Sequence, residues 1–170
     1  MAEAFPNHTI YLVNYRGYGG STGDPSEQGI FADALEIYDI VSPRHRTISA
    51  MGRSLGSGVA AYLASIRAVT KLVLVTPYDS IQSVVQDLYP VFPMSILLLD
   101  KYRSIDRVDQ ISSPTLIIIA EQDEVIPAKN SSSLIERFPK NILRVEIIEG
   151  TGHNSIERNP RYFSLLQEFI

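Results

Sequence analysis

Short runs of β-branched and aliphatic residues alternate along this chain with longer segments whose apolar positions recur at helical spacing. That alternation is the pattern of βα units on a parallel sheet. The runs Thr9 to Asn14, Thr47 to Met51, Lys71 to Val75, Thr115 to Ala120 and Leu143 to Ile148 predict strands. Each is nearly continuous in apolar residues, as expected where both faces of a strand are covered. Between the first two, Ile30, Ala34, Ile37 and Val41 repeat at helical intervals with Phe31, Leu35 and Tyr38 beside them, predicting an amphipathic helix. Gly56, Gly58, Ala60, Ala61 and Ala64 follow Met51 after a turn, and such small residues let a helix lie close against a sheet. A further helix is predicted near Ser131 to Phe138. A last one starts with Asn159 as cap and Pro160 in the first turn, burying Tyr162, Phe163, Leu166, Phe169 and Ile170. No repeat, low-complexity tract or linker interrupts the pattern. The expectation is one domain over residues 1–170, of α/β class, with a mainly parallel sheet flanked by helices.

Composition agrees with a globular chain. Of 170 residues, 45% are apolar and 20% charged, near the averages for folded soluble domains. The formal charge of -4 supplies no basic field for a phosphate backbone, so no nucleic-acid partner is expected. The absence of cysteine excludes disulfides, thiolate metal sites and a thiol nucleophile. No His and carboxylate cluster has metal-ligand spacing, so neither a metal nor an organic cofactor is expected. The N-terminus lacks the basic and apolar regions of a signal peptide, and a cytoplasmic location is the expectation. The longest apolar stretch, Leu88 to Leu99, contains Pro90 and Pro93 and falls short of the roughly 20 residues of a spanning helix, so no transmembrane segment is expected.

The candidate chemistry starts at Gly52-Arg53-Ser54-Leu55-Gly56, directly after a predicted strand and before a small-residue helix. In the G-x-S-x-G pattern the serine sits on a strained turn, where side chains at the flanking positions would strike the neighbouring strand or helix. The competing reading of Ser54 is a helix cap among turn glycines. A serine nucleophile needs a base and an acid that orients the base. His8 precedes the first strand, and His45 lies in the polar connection Pro43-Arg44-His45-Arg46, where a solvated loop histidine is the simpler reading. His153, in Glu149-Gly150-Thr151-Gly152-His153-Asn154, follows the last strand, where sheets of this kind carry their functional loops. Asp123 follows the Thr115 to Ala120 strand, with Glu121 and Glu124 as rivals and a solvated acidic turn as the plainer reading. Asp79 and Asp100 rank below it. The glycines from Gly17 to Gly23 contain neither G-x-x-x-x-G-K nor G-x-G-x-x-G, which argues against a nucleotide cradle.

Taken in order, these segments resemble the α/β-hydrolase superfamily, in the branch related to protein depalmitoylases. Asn14-Tyr15-Arg16-Gly17-Tyr18-Gly19-Gly20-Ser21 is similar to the loop after the family's fourth strand, which usually opens with Asp-Tyr and continues to a Pro-Ser-Glu like Pro25-Ser26-Glu27. The serine turn, the Ser113-Pro114 step into a strand, the Asp123 to Pro127 loop and Gly152-His153-Asn154 follow. The order Ser, Asp, His along the chain is that of the superfamily. The resemblance implies a triad of Ser54, Asp123 and His153, with the backbone N–H of Leu55 as an oxyanion-hole donor. It implies cleavage of a carboxylic ester or thioester, in a small molecule or an acylated protein, through an acyl-enzyme intermediate.

The same resemblance predicts a truncated fold, matching the C-terminal two-thirds of the usual one. In the family's strand order, 1-2-4-3-5-6-7-8, the third strand lies beside the nucleophile strand and carries the loop with the second oxyanion donor. Neither has a counterpart here. Three remedies present themselves: an upstream segment, a partner chain such as a second copy, or movement of Thr9 to Asn14 into the vacant slot. The alternative function is therefore a catalytically impaired or non-catalytic module used for binding or assembly. Residues 78–104 replace a simple βα connection and read either as a small apolar cap suited to acyl chains or as core or interface packing. Esterase, thioesterase and peptidase activities are not separated by these features.

Overall fold

The computed structural model describes residues 4–170. Among these residues four strands, β1 (Ser49–Arg53), β2 (Lys71–Val75), β3 (Thr115–Ala120) and β4 (Leu143–Ile148), form one sheet in chain order, every pair parallel. Helix α1 (Glu27–Val41) precedes β1, and α2 (Leu55–Ile66) joins β1 to β2. Helices α3 (Ile81–Leu88) and α4 (Met94–Leu97) lie between β2 and β3, α5 (Ala128–Arg137) joins β3 to β4, and α6 (Pro160–Phe169) follows β4.

Alternation along the inner strands decides which helix covers which face. Leu72, Leu74 and Ile117 pack with Ala60, Ala61 and Ala64 of α2 and Leu134 of α5. Val73, Val75, Leu116 and Ile118 point the other way, onto Tyr162, Leu165 and Leu166 of α6 and onto Phe5. These strand side chains are fully buried, each worth roughly 1.5–3 kcal/mol of apolar transfer. The small residues of α2 serve the expected close approach, since a Cβ on Gly58 would overlap the Tyr78 hydroxyl. Helix α6 begins as predicted, with the Asn159 side chain accepting from the Arg161 N–H at 3.0 Å and Pro160 in the first turn. Continuous burial on both faces holds for β2 and β3. The outer strands are less covered, and Val145 and Ile147 of β4 are exposed.

Two strand predictions need correction. Strand β1 runs two residues further toward the serine than Thr47 to Met51, because its ladder with β2 continues through Gly52 and Arg53 to Val75. Apolar patterning ends at Met51, but backbone pairing does not require apolar side chains. The segment Thr9 to Asn14 is not a strand. It has no sheet partner, and Leu12 is 83% exposed. A strand needs a neighbour for its N–H and C=O groups, and the outer edge of β1 lies across a cleft of about 1440 Å³. Residues Ile10 to Asn14 line this cleft, as do Ile48 to Met51 and, from the helices, Ile37, Val59 and Leu63. The segment has therefore not moved into the slot beside β1.

Residues 78–104 are tied down at both ends but open in the middle. Tyr78 and Tyr102 are buried, and the Glu27 N–H donates to Asp100 Oδ1 while the Lys101 N–H donates to Glu27 Oε2, both at 2.8 Å. Between these anchors Leu88, Tyr89, Phe92, Ile96 and Leu97 are exposed, with Val91 and Leu99 reaching 88% and 90%. These side chains are not part of the core that the described residues form. No helix among the described residues is long and apolar enough to cross a membrane.

Candidate active site

Ser54 sits between the end of β1 and the start of α2 with φ 51° and ψ -123°. This left-handed geometry, the mirror of the first central position of a type II turn, is one that glycine dominates. Several contacts hold the serine there. Its N–H donates to the Val75 carbonyl at 3.0 Å, extending the β1–β2 ladder, and its carbonyl accepts from the Ser57 N–H at 2.8 Å and the Ser57 hydroxyl at 2.6 Å. Gly52 is required sterically, because a Cβ there would overlap the Gly56 carbonyl. At Gly56 a Cβ would come within 3.0 Å of the Tyr15 hydroxyl. Ser54 makes no side-chain cap to α2, so the helix-cap reading does not describe it. Leu55 is the first residue of α2, and its N–H belongs to the helix-start amides without an intrahelical acceptor.

The structure brings His153 and Asp123 to this serine. His153 Nε2 lies 2.9 Å from Ser54 Oγ, and Nδ1 lies 2.9 and 3.0 Å from the two Asp123 oxygens. Both side chains are buried, at 6% and 8% exposure. Asp123 is fixed in turn, its Oδ1 accepting from the N–H groups of Val125 and Ile126 at 2.9 and 2.8 Å. A hydroxyl, an imidazole and a buried carboxylate in this sequence of hydrogen bonds form the geometry in which an imidazole can take a hydroxyl proton.

The rival acids have other partners. Glu121 Oε2 accepts from the Gly150 N–H and Glu124 Oε2 from the His153 N–H, at 2.8 and 2.9 Å. The latter bond holds the Glu124 carboxyl below its ordinary pKa. Asp79 accepts from the Ser80 N–H and from Asn130, and Asp100 from the first N–H of α1. His45 pairs with the Tyr11 hydroxyl, and His8 packs edge-on against Phe5. Near the start of α2, the Tyr78 hydroxyl donates to the Leu55 carbonyl at 3.1 Å, and burial pushes the Tyr78 pKa well up. Among the described residues no group of three or more His, Cys, Asp or Glu side chains is placed to hold a metal ion. Sequence reasoning missed Arg53, whose guanidinium reaches the His153 carbonyl at 2.5 Å. Its only signal was a long cationic side chain between Gly52 and Ser54.

The chain is similar to known proteins at two levels. It is 39% identical over 155 residues to an uncharacterized protein of Mycobacterium tuberculosis, covering 88% of this chain and 54% of that one. It is 32% identical over 170 residues to alpha/beta hydrolase domain-containing protein 17C of Xenopus tropicalis, covering 96% and 53%. An alpha-beta serine hydrolase homologue from Coxiella burnetii superposes with a TM-score of 0.65 at 23% identity, over 91% of this chain and 64% of the other. The chain belongs to the α/β-hydrolase superfamily. No family model matches it. It spans about half the length of the curated relatives it matches, and its four-stranded parallel sheet with flanking helices is a truncated α/β-hydrolase fold.

Proposed function

We propose that this chain carries the nucleophile, base and acid of a serine hydrolase that cleaves a carboxylic ester or thioester. The observation behind this reading is the continuous hydrogen-bonded path from Ser54 Oγ through His153 to Asp123. In the proposed cycle His153 Nε2 takes the Ser54 proton as Oγ attacks the acyl carbonyl. The imidazolium then gives that proton to the departing alcohol or thiol, leaving an acyl-enzyme. Water attacks next, again with His153 as base, and releases the acid. Asp123 keeps the proton on Nδ1 and offsets the charge of the imidazolium. The Leu55 N–H, at the positive end of α2, is the proposed donor to the oxyanion.

A second donor would come from whatever covers the outer edge of β1. The cleft along that edge reaches Arg53 and Gly56, on either side of the nucleophile, so an upstream segment or a second chain seated there would abut Ser54. The loss of one oxyanion donor typically costs about 10²–10³ in turnover. The open edge therefore also supports a second reading, a catalytically impaired or non-catalytic module used for binding or assembly. The exposed apolar side chains between Leu88 and Leu99 suit an acyl chain better than a small polar substrate.

A fluorophosphonate probe distinguishes the two readings. The hydrolase reading expects covalent labelling of the folded chain and its loss in Ser54→Ala. Folded protein that takes no label refutes hydrolase activity for this chain and leaves the module reading.

A further inference from the structure

His153 has four polar groups, and each meets a partner on a different residue. Its ring nitrogens face Ser54 and Asp123. Its backbone N–H donates to Glu124 Oε2 at 2.9 Å, and its carbonyl accepts from Arg53 Nη2 at 2.5 Å. The two backbone partners carry opposite charges and come from different parts of the sheet. Arg53 is the chain neighbour of Ser54, and Glu124 is the chain neighbour of Asp123. The loop that presents the imidazole is thus gripped by residues adjacent to the two groups the imidazole must reach.

The fold explains why position 53 can do this. Gly52 faces α2 so closely that no side chain fits, and alternation along β1 sends the next side chain to the opposite face, where the histidine loop and α6 lie. Arg53 Nη2 is also 3.2 Å from Asn154 Oδ1 and 3.7 Å from Glu157. From the other side the acid loop supplies Glu121 to the Gly150 N–H, the Gln122 N–H to the Thr151 carbonyl, and Glu124 to the His153 N–H. Hydrogen bonds with an ionised partner are roughly twice as strong as neutral ones, and the two that hold the His153 backbone are both of that kind.

We propose that Arg53 is a positioning residue of the hydrolase site: its guanidinium holds the His153 carbonyl against the pull of Glu124, and so keeps Nε2 on Ser54 Oγ. The inference rests on the hydrolase reading of Ser54 and adds a residue that touches neither the substrate nor a reacting atom. Without the guanidinium the histidine loop keeps its attachment to the acid loop and loses its attachment to the nucleophile strand. Misplacement by about 1 Å costs on the order of 10² in rate when it alters the geometry of reacting groups.

The test compares wild type, Arg53→Met and Arg53→Lys by fluorophosphonate labelling rate, by kcat and KM on a p-nitrophenyl ester, and by thermal unfolding. Methionine keeps the apolar stem without a donor, whereas lysine restores one charged donor to the carbonyl. The expected result is labelling and kcat reduced about tenfold or more in Arg53→Met, with KM changed by less than about twofold and much of the loss recovered in Arg53→Lys. Wild-type labelling by Arg53→Met overturns the inference, as does a loss that lysine does not relieve. If Arg53→Met does not fold, Arg53→Gln, a shorter uncharged side chain, takes its place, and wild-type labelling by that variant overturns the inference equally. Failure of the hydrolase reading is distinct, because the wild type itself then takes no label. In that event the downfield proton resonance of His153 Nδ1–H still decides: it broadens or disappears in Arg53→Met and returns in Arg53→Lys, and an unchanged resonance in Arg53→Met overturns the proposal.

Discussion

Ser54→Gly is expected to be more stable than Ser54→Ala, although both lose the nucleophile. Each variant removes the hydroxyl and leaves His153 Nε2 without its 2.9 Å partner, so that loss cancels between them. What remains is a Cβ held at φ 51°, ψ -123°. Keeping a non-glycine residue in such a region costs on the order of 1–3 kcal/mol. Glycine returns up to about 1 kcal/mol of this, because its unfolded chain has more freedom to lose. At the middle of the strain range the net advantage of glycine is therefore about 1 kcal/mol. At about 2–4 °C per kcal/mol for a chain of this size, Ser54→Gly should unfold a few degrees above Ser54→Ala. Calorimetry or circular-dichroism melts of the two proteins in one buffer measure the difference directly. A glycine variant that melts at or below the alanine variant would refute the claim that strain is stored at this turn.

Two further outcomes are expected. Asp123→Asn keeps the shape of the acid but can turn an amide N–H toward Nδ1, favouring the wrong imidazole tautomer. Turnover of an activated ester should then fall by about 10⁴ with little change in melting temperature, and a loss below tenfold would remove Asp123 from the mechanism. The third outcome concerns acid pH. Glu124 has a folded pKa below its ordinary 4.5 because it accepts the His153 N–H. A depressed value means that the contribution is complete above about pH 4.5 and is lost as pH falls through the lower, folded value. Melting temperatures of wild type and Glu124→Gln should therefore differ at neutral pH and converge on acidification, and curves that stay parallel would show that the carboxylate charge contributes nothing.

The limits of β2, β3 and β4 and the start of α6 were legible in the sequence, which also singled out Ser54, Asp123 and His153, the three side chains that the fold places within hydrogen-bond reach of one another. These features rest on local causes. Apolar runs mark buried strands, an Asn-Pro pair starts a helix, and a serine in a strained turn requires the glycine at position 52 whose Cβ would overlap the backbone of α2. Chain order then selected one histidine and one carboxylate, because loops after parallel strands gather at one end of the sheet. Tertiary structure alone decided the rest. The run Thr9 to Asn14 has the composition of a strand, yet pairing depends on a neighbour that its own residues cannot encode, and a cleft separates it from the edge of β1. The apolar residues between Leu88 and Leu99 read equally well as core, and only packing left them exposed. In the sequence Arg53 looks like an ordinary solvated charge and Glu124 like a rival to Asp123 as the acid. Their grip on His153 spans 100 and 29 positions along the chain, and it exists only because the fold brings the end of β1 and two loops to one point.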